Sequence, residues 1–236
     1  RDLRMSRGLG DVYKRQDLHN AEFGKENKKL LETIRSCSPD IIIITGDLVD
    51  SNHTNVERAV AFVKEAVKIA PVYYVTGNHE YWLDPSENEQ MMQGILAAGA
   101  YDLDDEAVRI EKGDSSFLLV GLDDQHLSDE TLKNLLQEQK NELSIVLAHE
   151  PQYLQNYANA EADLVLTGHA HGGQIRLPFV GGIVAPDQGF LPEYTSGQYN
   201  SADTEMIVSR GLGNSIIPVR LFNYPEVVCV ELRCKN

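Results

Sequence analysis

Most of the seven histidines in this 236-residue chain stand just after a short apolar run, beside a carboxylate, an amide or a glycine. Asp17-Leu18-His19 sets two polar side chains two residues apart, a spacing that points both the same way in extended backbone. Gly46-Asp47-Leu48-Val49-Asp50 follows residues 41–44, Gly77-Asn78-His79-Glu80 follows residues 72–75, and His149-Glu150-Pro151 follows residues 145–147. Gly168-His169-Ala170-His171-Gly172-Gly173 follows residues 164–166, and its flanking glycines allow a tight turn and close approach to a ligand. Taken singly, Gly-Asp and Gly-Asn pairs are ordinary turn formers, and Asp17 or His19 alone reads as a surface cap. Five such motifs at successive strand ends are different, because folding alone does not call for His, Asp and Asn together at each. Those residue types are metal ligands, and the pattern points to a bound cation. His53 and His126 lack ligand-like neighbours at comparable spacing and read as surface or structural residues.

The elements that must position these motifs alternate between helix-period and strand-like stretches, the pattern of an α/β domain. Residues 21–37 place Phe23, Leu30, Leu31 and Ile34 near one helical face, and residues 41–44 are four isoleucines, a strand buried on both faces. Thr54 with Glu57 has the spacing of a capping box before the stripe Val56, Ala59, Val60, Val63 and Val67. Ser86 with Glu89 repeats that spacing before Met91, Met92, Ile95 and Leu96. Residues 72–75, 117–120, 145–147, 164–166, 206–208 and 227–230 read as strands, with one further helix around 132–136. In an open α/β sheet, ligand sites form where such strands end.

The order DxH, GDxxD, GNHE, a lone His and then GHxH resembles the calcineurin-like metallophosphoesterases from Asp17 to the end of the chain. Residues 168–178 and the run Ser209-Arg210-Gly211-Leu212-Gly213-Asn214-Ser215 resemble the bacterial YaeI/YkuE-type phosphodiesterase branch. The resemblance implies a four-layer αββα sandwich of two mixed β-sheets with flanking helices, and a site built from loops along one edge. It implies that Asp17, His19, Asp47 and His171 hold one divalent ion, and that Asn78, His149 and His169 hold another, with Asp47 shared. It also implies phosphoester hydrolysis by a hydroxide bridging the two ions, with His79 protonating the leaving oxygen or stabilising the transition state and Asp50 orienting His79. An uncharged Asn and four neutral imidazoles limit the negative charge on such a site, leaving it attractive to phosphate within an acidic protein. Imidazole, carboxylate and amide ligands without thiolate suit Mn²⁺, Fe²⁺ or Zn²⁺, with manganese the first choice for assay. Where the family carries an apolar strand before its first motif, this chain has Lys14-Arg15-Gln16, so a wrong or missing first strand is expected.

Composition narrows the partners. The formal charge of -15 repels a polyanion, so nucleic acid is not favoured. Apolar residues make up 42% of the chain without any run near the roughly 20 residues of a spanning helix, so it reads as soluble as written. Residues 1–16 carry five basic and two acidic side chains in an acidic protein and read as a truncated or non-native lead. Residues 17–236 read as one domain, with localisation open between cytoplasm and membrane association. Cys37, Cys229 and Cys234 form no CxxC pair and read as ordinary thiols. The expected substrate is a small or lipid-linked phosphate ester, with a diester or pyrophosphate linkage favoured by the resemblance. Ile216, Ile217, Pro218, Val219, Leu221 and Phe222, interrupted by Arg220, form an apolar segment that serves either loop packing or peripheral membrane contact. The competing readings are a phosphomonoesterase or protein phosphatase on the same ions, and a binding scaffold that keeps the fold without activity.

Overall fold

The computed structural model describes residues 11–15, 17–137, 142–214 and 219–233. Its strands are β1 (Asp11–Arg15), β2 (Ile41–Thr45), β3 (Val72–Val75), β4 (Tyr101–Asp102), β5 (Ala107–Lys112), β6 (Ser115–Gly121), β7 (Ser144–Leu147), β8 (Leu164–Thr167), β9 (Arg176–Leu177), β10 (Gly181–Gly182), β11 (Val184–Ala185), β12 (Gly189–Phe190), β13 (Gly197–Ser201), β14 (Thr204–Val208) and β15 (Val228–Glu231). Its helices are α1 (Lys28–Ser36), α2 (Val56–Ala66), α3 (Asn78–Tyr81), α4 (Pro85–Ala97), α5 (Asp129–Leu136) and α6 (Leu154–Asn159).

One sheet runs β15-β1-β2-β3-β4 and the other β13-β14-β8-β7-β6-β5. In the first, β1 to β4 are parallel neighbours and β15 joins β1 antiparallel. In the second, β14, β8, β7 and β6 are parallel, with antiparallel β13 and β5 on the edges. The period-two alternation of strand side chains then sorts the core into three bands. Ile42, Ile44, Val72 and Tyr74 face α1, α2 and α4, while Ile41, Ile43, Tyr73 and Val75 turn to the other sheet. There they meet Phe117, Leu119, Ile145, Leu147, Leu164 and Leu166. The alternate residues Leu118, Val120, Val146 and Val165 pack against Leu132 of α5 and Leu154 and Tyr157 of α6. The result is the four-layer αββα sandwich, and its continuous apolar strands follow from burial on both faces.

Several local expectations are corrected. The first strand is present: the β1 backbone pairs parallel with residues 41–44 and antiparallel with β15. A ladder is made of backbone N–H and C=O groups, so a basic sequence does not prevent it. The other lead residues, 1–10 and 16, lie outside the described residues, as do Ile216, Ile217, Pro218 and Cys234. The first helix begins at Lys28, because Glu26 and Asn27 take positive φ and the Asn27 side chain accepts a hydrogen bond from the Phe23 N–H. Asn55 rather than Thr54 caps α2, accepting from the Arg58 N–H at 2.9 Å. Asp84 rather than Ser86 caps α4, with Pro85 at the first helical position, where its lack of an N–H costs nothing.

Candidate metal centre

The parallel strands deliver their following loops to one edge of the sandwich. Asp17 and His19 follow β1, Asp47 follows β2, Asn78 and His79 follow β3, His149 follows β7, and His169 and His171 follow β8. Backbone hydrogen bonds stitch these loops together: His19 N–H donates to Asp47 C=O at 3.0 Å, and Gly168 N–H to His149 C=O at 2.9 Å. Asp17, His19, Asp47, His169 and His171 all have φ between 44° and 62°, the left-handed region that non-glycine residues rarely adopt. Five such residues at one spot mark a place where geometry is imposed on the backbone rather than preferred by it. The glycines beside them clear the space. A Cβ on Gly46 would lie 2.6 Å from the Gly77 backbone and 2.7 Å from His149 Nδ1.

All seven expected ligands are buried, and six of them converge. His19, Asp47 and His171 bring one ligand atom each within 4.8 Å of one another, and so do Asp47, His149 and His169. The Asp47 carboxylate belongs to both groups. Its Oδ1 is pinned by the His79 N–H at 3.0 Å, while Oδ2 lies 3.3 Å from His19 Nε2 and 3.2 Å from His149 Nε2 without an aligned hydrogen bond. His19 Nε2 and His171 Nε2 face each other at 3.2 Å. Asn78 Oδ1 lies 2.9 Å from His149 Nε2 and 3.0 Å from His169 Nδ1. Asp17 is not part of either 4.8 Å group; both its carboxylate oxygens are buried without a hydrogen-bond partner, 3.9 Å or more from His149 Nδ1.

The donor set fits cations. His149 Nδ1 contacts the Thr45 carbonyl at 2.7 Å and His169 Nε2 contacts the Asp187 carboxylate at 2.7 Å. Both partners accept only, so each of those ring nitrogens carries the proton. The opposite nitrogens, His149 Nε2 and His169 Nδ1, are then bare in the neutral rings, yet they stand 3.0 Å apart with Asn78 Oδ1 between them. Three lone pairs aimed at one another need a positive charge. Burial pushes the His149 imidazole down, but the Asp47 carboxylate, joined by those of Asp124 and Asp17, raises the ring well above its ordinary value. His171, by contrast, is held well below it by burial and by its neighbour His19.

His79 sits beside this cluster, its ring 4.4 Å from that of His19, edge to face. Its Nδ1 accepts from the Ser51 N–H at 3.2 Å and lies 3.1 Å from Ser51 Oγ. Asp50 stands 3.9 Å from the same nitrogen, an ion-pair distance for a protonated ring, and spends its Oδ1 on the Asn52 N–H at 2.8 Å. Ser51, which the sequence did not single out, therefore makes the hydrogen bonds and leaves the ring proton on Nε2. Burial lowers the His79 pKa to about 4, so the ring is neutral at neutral pH. His53 is on the surface, and His126 meets Asp105 at 2.5 Å and groups with Asp123 in a half-exposed cluster that the linear spacing did not foreshadow.

Three further residues support the site. Glu80, the last residue of the GNHE motif, is fully buried and accepts from four backbone N–H groups, those of Asp47, Leu48, Val49 and Gly77. One carboxylate thus clamps the GDxxD loop onto the GNHE loop. Its burial and the neighbouring Asp47 push its pKa up to about 7, against the pull of those N–H donors. Arg220, read from the sequence as a break in an apolar segment, donates to the carbonyls of Arg210, Gly213 and Asn223. It thereby holds the 209–214 turn, whose Leu212 and Gly213 N–H groups donate to Asp17 C=O. Asn223, buried, donates to the carbonyls of His171 and Gln174. No spacing rule links residues 220 and 223 to the motifs. Of the apolar segment, Val219, Leu221 and Phe222 are exposed.

No helix among the described residues is long and apolar enough to cross a membrane. The family model described as Calcineurin-like phosphoesterase matches residues 17–173. Phosphodiesterase YaeI of Escherichia coli (strain K12) is 30% identical over 195 residues, covering 82% of this chain and 70% of its own. A metallophosphoesterase of Aquifex aeolicus (strain VF5) is 34% identical over 84% of this chain and 74% of its own, and metallophosphoesterase YkuE of Bacillus subtilis (strain 168) is 28% identical over 97% and 77%. Among solved structures, TT1561 of Thermus thermophilus shares the fold with a TM-score of 0.55 at 12% identity, covering 86% of this chain and 90% of that one. A cluster of buried His, Asp and Asn at the strand ends, carried by motifs matched across most of the chain, makes it a member of the calcineurin-like phosphoesterase family, a metal-dependent phosphoric ester hydrolase.

Proposed function

We propose that the chain is a phosphodiesterase with a dinuclear centre, in which Asp17, His19, Asp47 and His171 hold one divalent ion and Asn78, His149, His169 and the shared Asp47 hold the second. The observation that carries this reading is the Asp47 carboxylate, which belongs to both ligand groups and has one oxygen left without a hydrogen bond. Bound there, two divalent ions supply Lewis acidity that lowers the pKa of water and offsets charge on phosphate oxygens. The chain's own residues do the rest. Four imidazoles and one amide keep the donor set from being over-charged, so a phosphate anion is admitted despite a chain charge of -15. His79, neutral and with its Nε2–H directed by the Ser51 contacts, donates a hydrogen bond to a phosphoryl oxygen or to the departing alkoxide. Asp50 at 3.9 Å stabilises the ring whenever it carries a second proton. The diester preference draws on the 30% identity to a relative named phosphodiesterase. Manganese is the ion for assay, on the softness of the ligands.

The test is a manganese-reconstituted assay with a bis-aryl phosphate diester and an aryl phosphate monoester in parallel, with EDTA reversal and a His79→Ala control. The reading expects diester turnover that EDTA abolishes and His79→Ala lowers by roughly 10²- to 10⁴-fold. Activity indifferent to EDTA overturns the metal mechanism, and faster monoester turnover moves the assignment to a phosphomonoesterase on the same residues.

A further inference from the structure

We propose that Asp187 is a positioning residue for the second ion, a role that rests on the dinuclear reading: its carboxylate takes the Nε2–H of His169 and thereby turns the bare Nδ1 toward Asn78 and His149. The contact is 2.7 Å long, and His169 Nδ1 stands 3.0 Å from both Asn78 Oδ1 and His149 Nε2. An imidazole in a site like this can rotate or change tautomer, and a carboxylate on its far nitrogen prevents both while making the ligating nitrogen more basic. His149 has the equivalent support from the Thr45 carbonyl. Asp187 supplies for His169 what that carbonyl supplies for His149.

Asp187 lies outside the 17–173 stretch of the family match, at the tip of the hairpin formed by β11 and β12, with φ 54°. The hairpin is tied to the ligand loop rather than free of it. Ile183 N–H donates to Gly173 C=O at 3.1 Å, and Gly173 packs so closely on Gly182 that a Cβ would lie 2.4 Å from it. On its far side, Gln188 exchanges two hydrogen bonds with the Tyr194 backbone. A carboxylate whose side chain is 60% exposed is thus held by a latched turn against a histidine that is 1% exposed. Linkage makes the relation reciprocal: fixing His169 favours the ion, and the ion favours the closed hairpin.

The test compares the wild type with Asp187→Asn, Asp187→Ala and Gln188→Ala. Manganese uptake is followed by calorimetry after chelation, and the His169 ring by ¹⁵N NMR of the chelated protein, which distinguishes the proton-bearing nitrogen from the bare one. The expected result is weakening of one of two ions, by roughly 10- to 100-fold in Asp187→Ala and less in Asp187→Asn, whose amide oxygen still accepts. The other ion keeps its affinity, and the His169 Nε2–H tautomer of the wild type is lost in Asp187→Ala. Gln188→Ala, which loosens the latch but leaves the carboxylate in place, keeps the tautomer and weakens the same ion less than Asp187→Ala does. An unchanged tautomer in Asp187→Ala, or an equal loss in Gln188→Ala, overturns the inference. A wild type that takes up fewer than two ions sinks the dinuclear reading instead, and the NMR comparison still decides the role of Asp187.

Discussion

Replacing Glu80 by glutamine changes one oxygen into an NH₂ group at the point where two motif loops are clamped. Oε1 accepts from Leu48 and Val49 at 2.8 and 3.3 Å, and Oε2 accepts from Asp47 and Gly77 at 2.9 Å each. Whichever way the glutamine amide sits, two backbone N–H groups lose their acceptor and face another donor in a fully buried place. An unsatisfied buried donor costs about 1–3 kcal/mol, so the loss is about 2–6 kcal/mol. Removing a negative charge beside Asp47 returns part of it in the ion-free protein, since Asp47 is among the groups that push the Glu80 carboxyl up. A net destabilisation of about 2–4 kcal/mol follows, which is a drop of roughly 1 M in the urea midpoint at a slope of about 3 kcal/mol per molar. The assay is urea unfolding of both proteins in chelator and again in manganese. The gap between them is expected to widen in manganese, where the charge of Asp47 is already offset and its relief contributes nothing. A midpoint within about 0.2 M of wild type would show that the carboxylate is not the clamp.

The remaining expectations concern the backbone, protons and the supporting arginine. Gly46→Ala places a Cβ 2.6 Å from the Gly77 backbone at φ 88°, and is expected to cost about 2 kcal/mol or more, whereas Gly99→Ala, at φ 96° with nothing within 4 Å, carries the φ strain alone; equal losses in thermal unfolding would refute the crowding argument. On the dinuclear reading an ion at His149 competes with a proton there, so manganese affinity is expected to rise with pH, with proton release visible by calorimetry in buffers of different ionisation enthalpy. His79 is depressed to about 4 from an ordinary 6.5, so its contribution to ion-free stability is complete above 6.5 and lost as pH falls toward 4. An NMR titration of the His79 ring with a midpoint near 6.5 would contradict that. Arg220→Ala removes charge-assisted hydrogen bonds to the Arg210 and Gly213 carbonyls of the turn beneath Asp17 and to the Asn223 carbonyl, and is expected to cost at least about 1.5–3 kcal/mol, measured by urea unfolding in chelator.

The central strands were legible because burial on both faces leaves an unmistakable apolar run, as at residues 41–44 and 145–147. The edge strands β5 and β13 were not, because an edge strand needs only a neighbour's backbone and its half-exposed side chains carry little pattern. Helix caps failed for a related reason. Thr54 and Asn55, or Asp84 and Ser86, are all competent caps, and the choice between neighbours depends on where the chain enters the helix.

Within the site, the sequence by itself determined which residue types stand at which strand ends, and therefore that His, Asp and Asn gather at the loops after β1, β2, β3, β7 and β8. Only the tertiary structure decided which of their atoms meet. Ser51 rather than Asp50 makes the hydrogen bonds to His79, because a difference of one residue in a turn is a difference of ångströms in reach. Glu80, Asp187 and Asn223 act across the fold, through hydrogen bonds between residues 18 to 52 positions apart. Motif spacing is a record of local geometry, whereas a hydrogen bond between distant segments exists only after the two sheets have packed and fixed the distance between their edges.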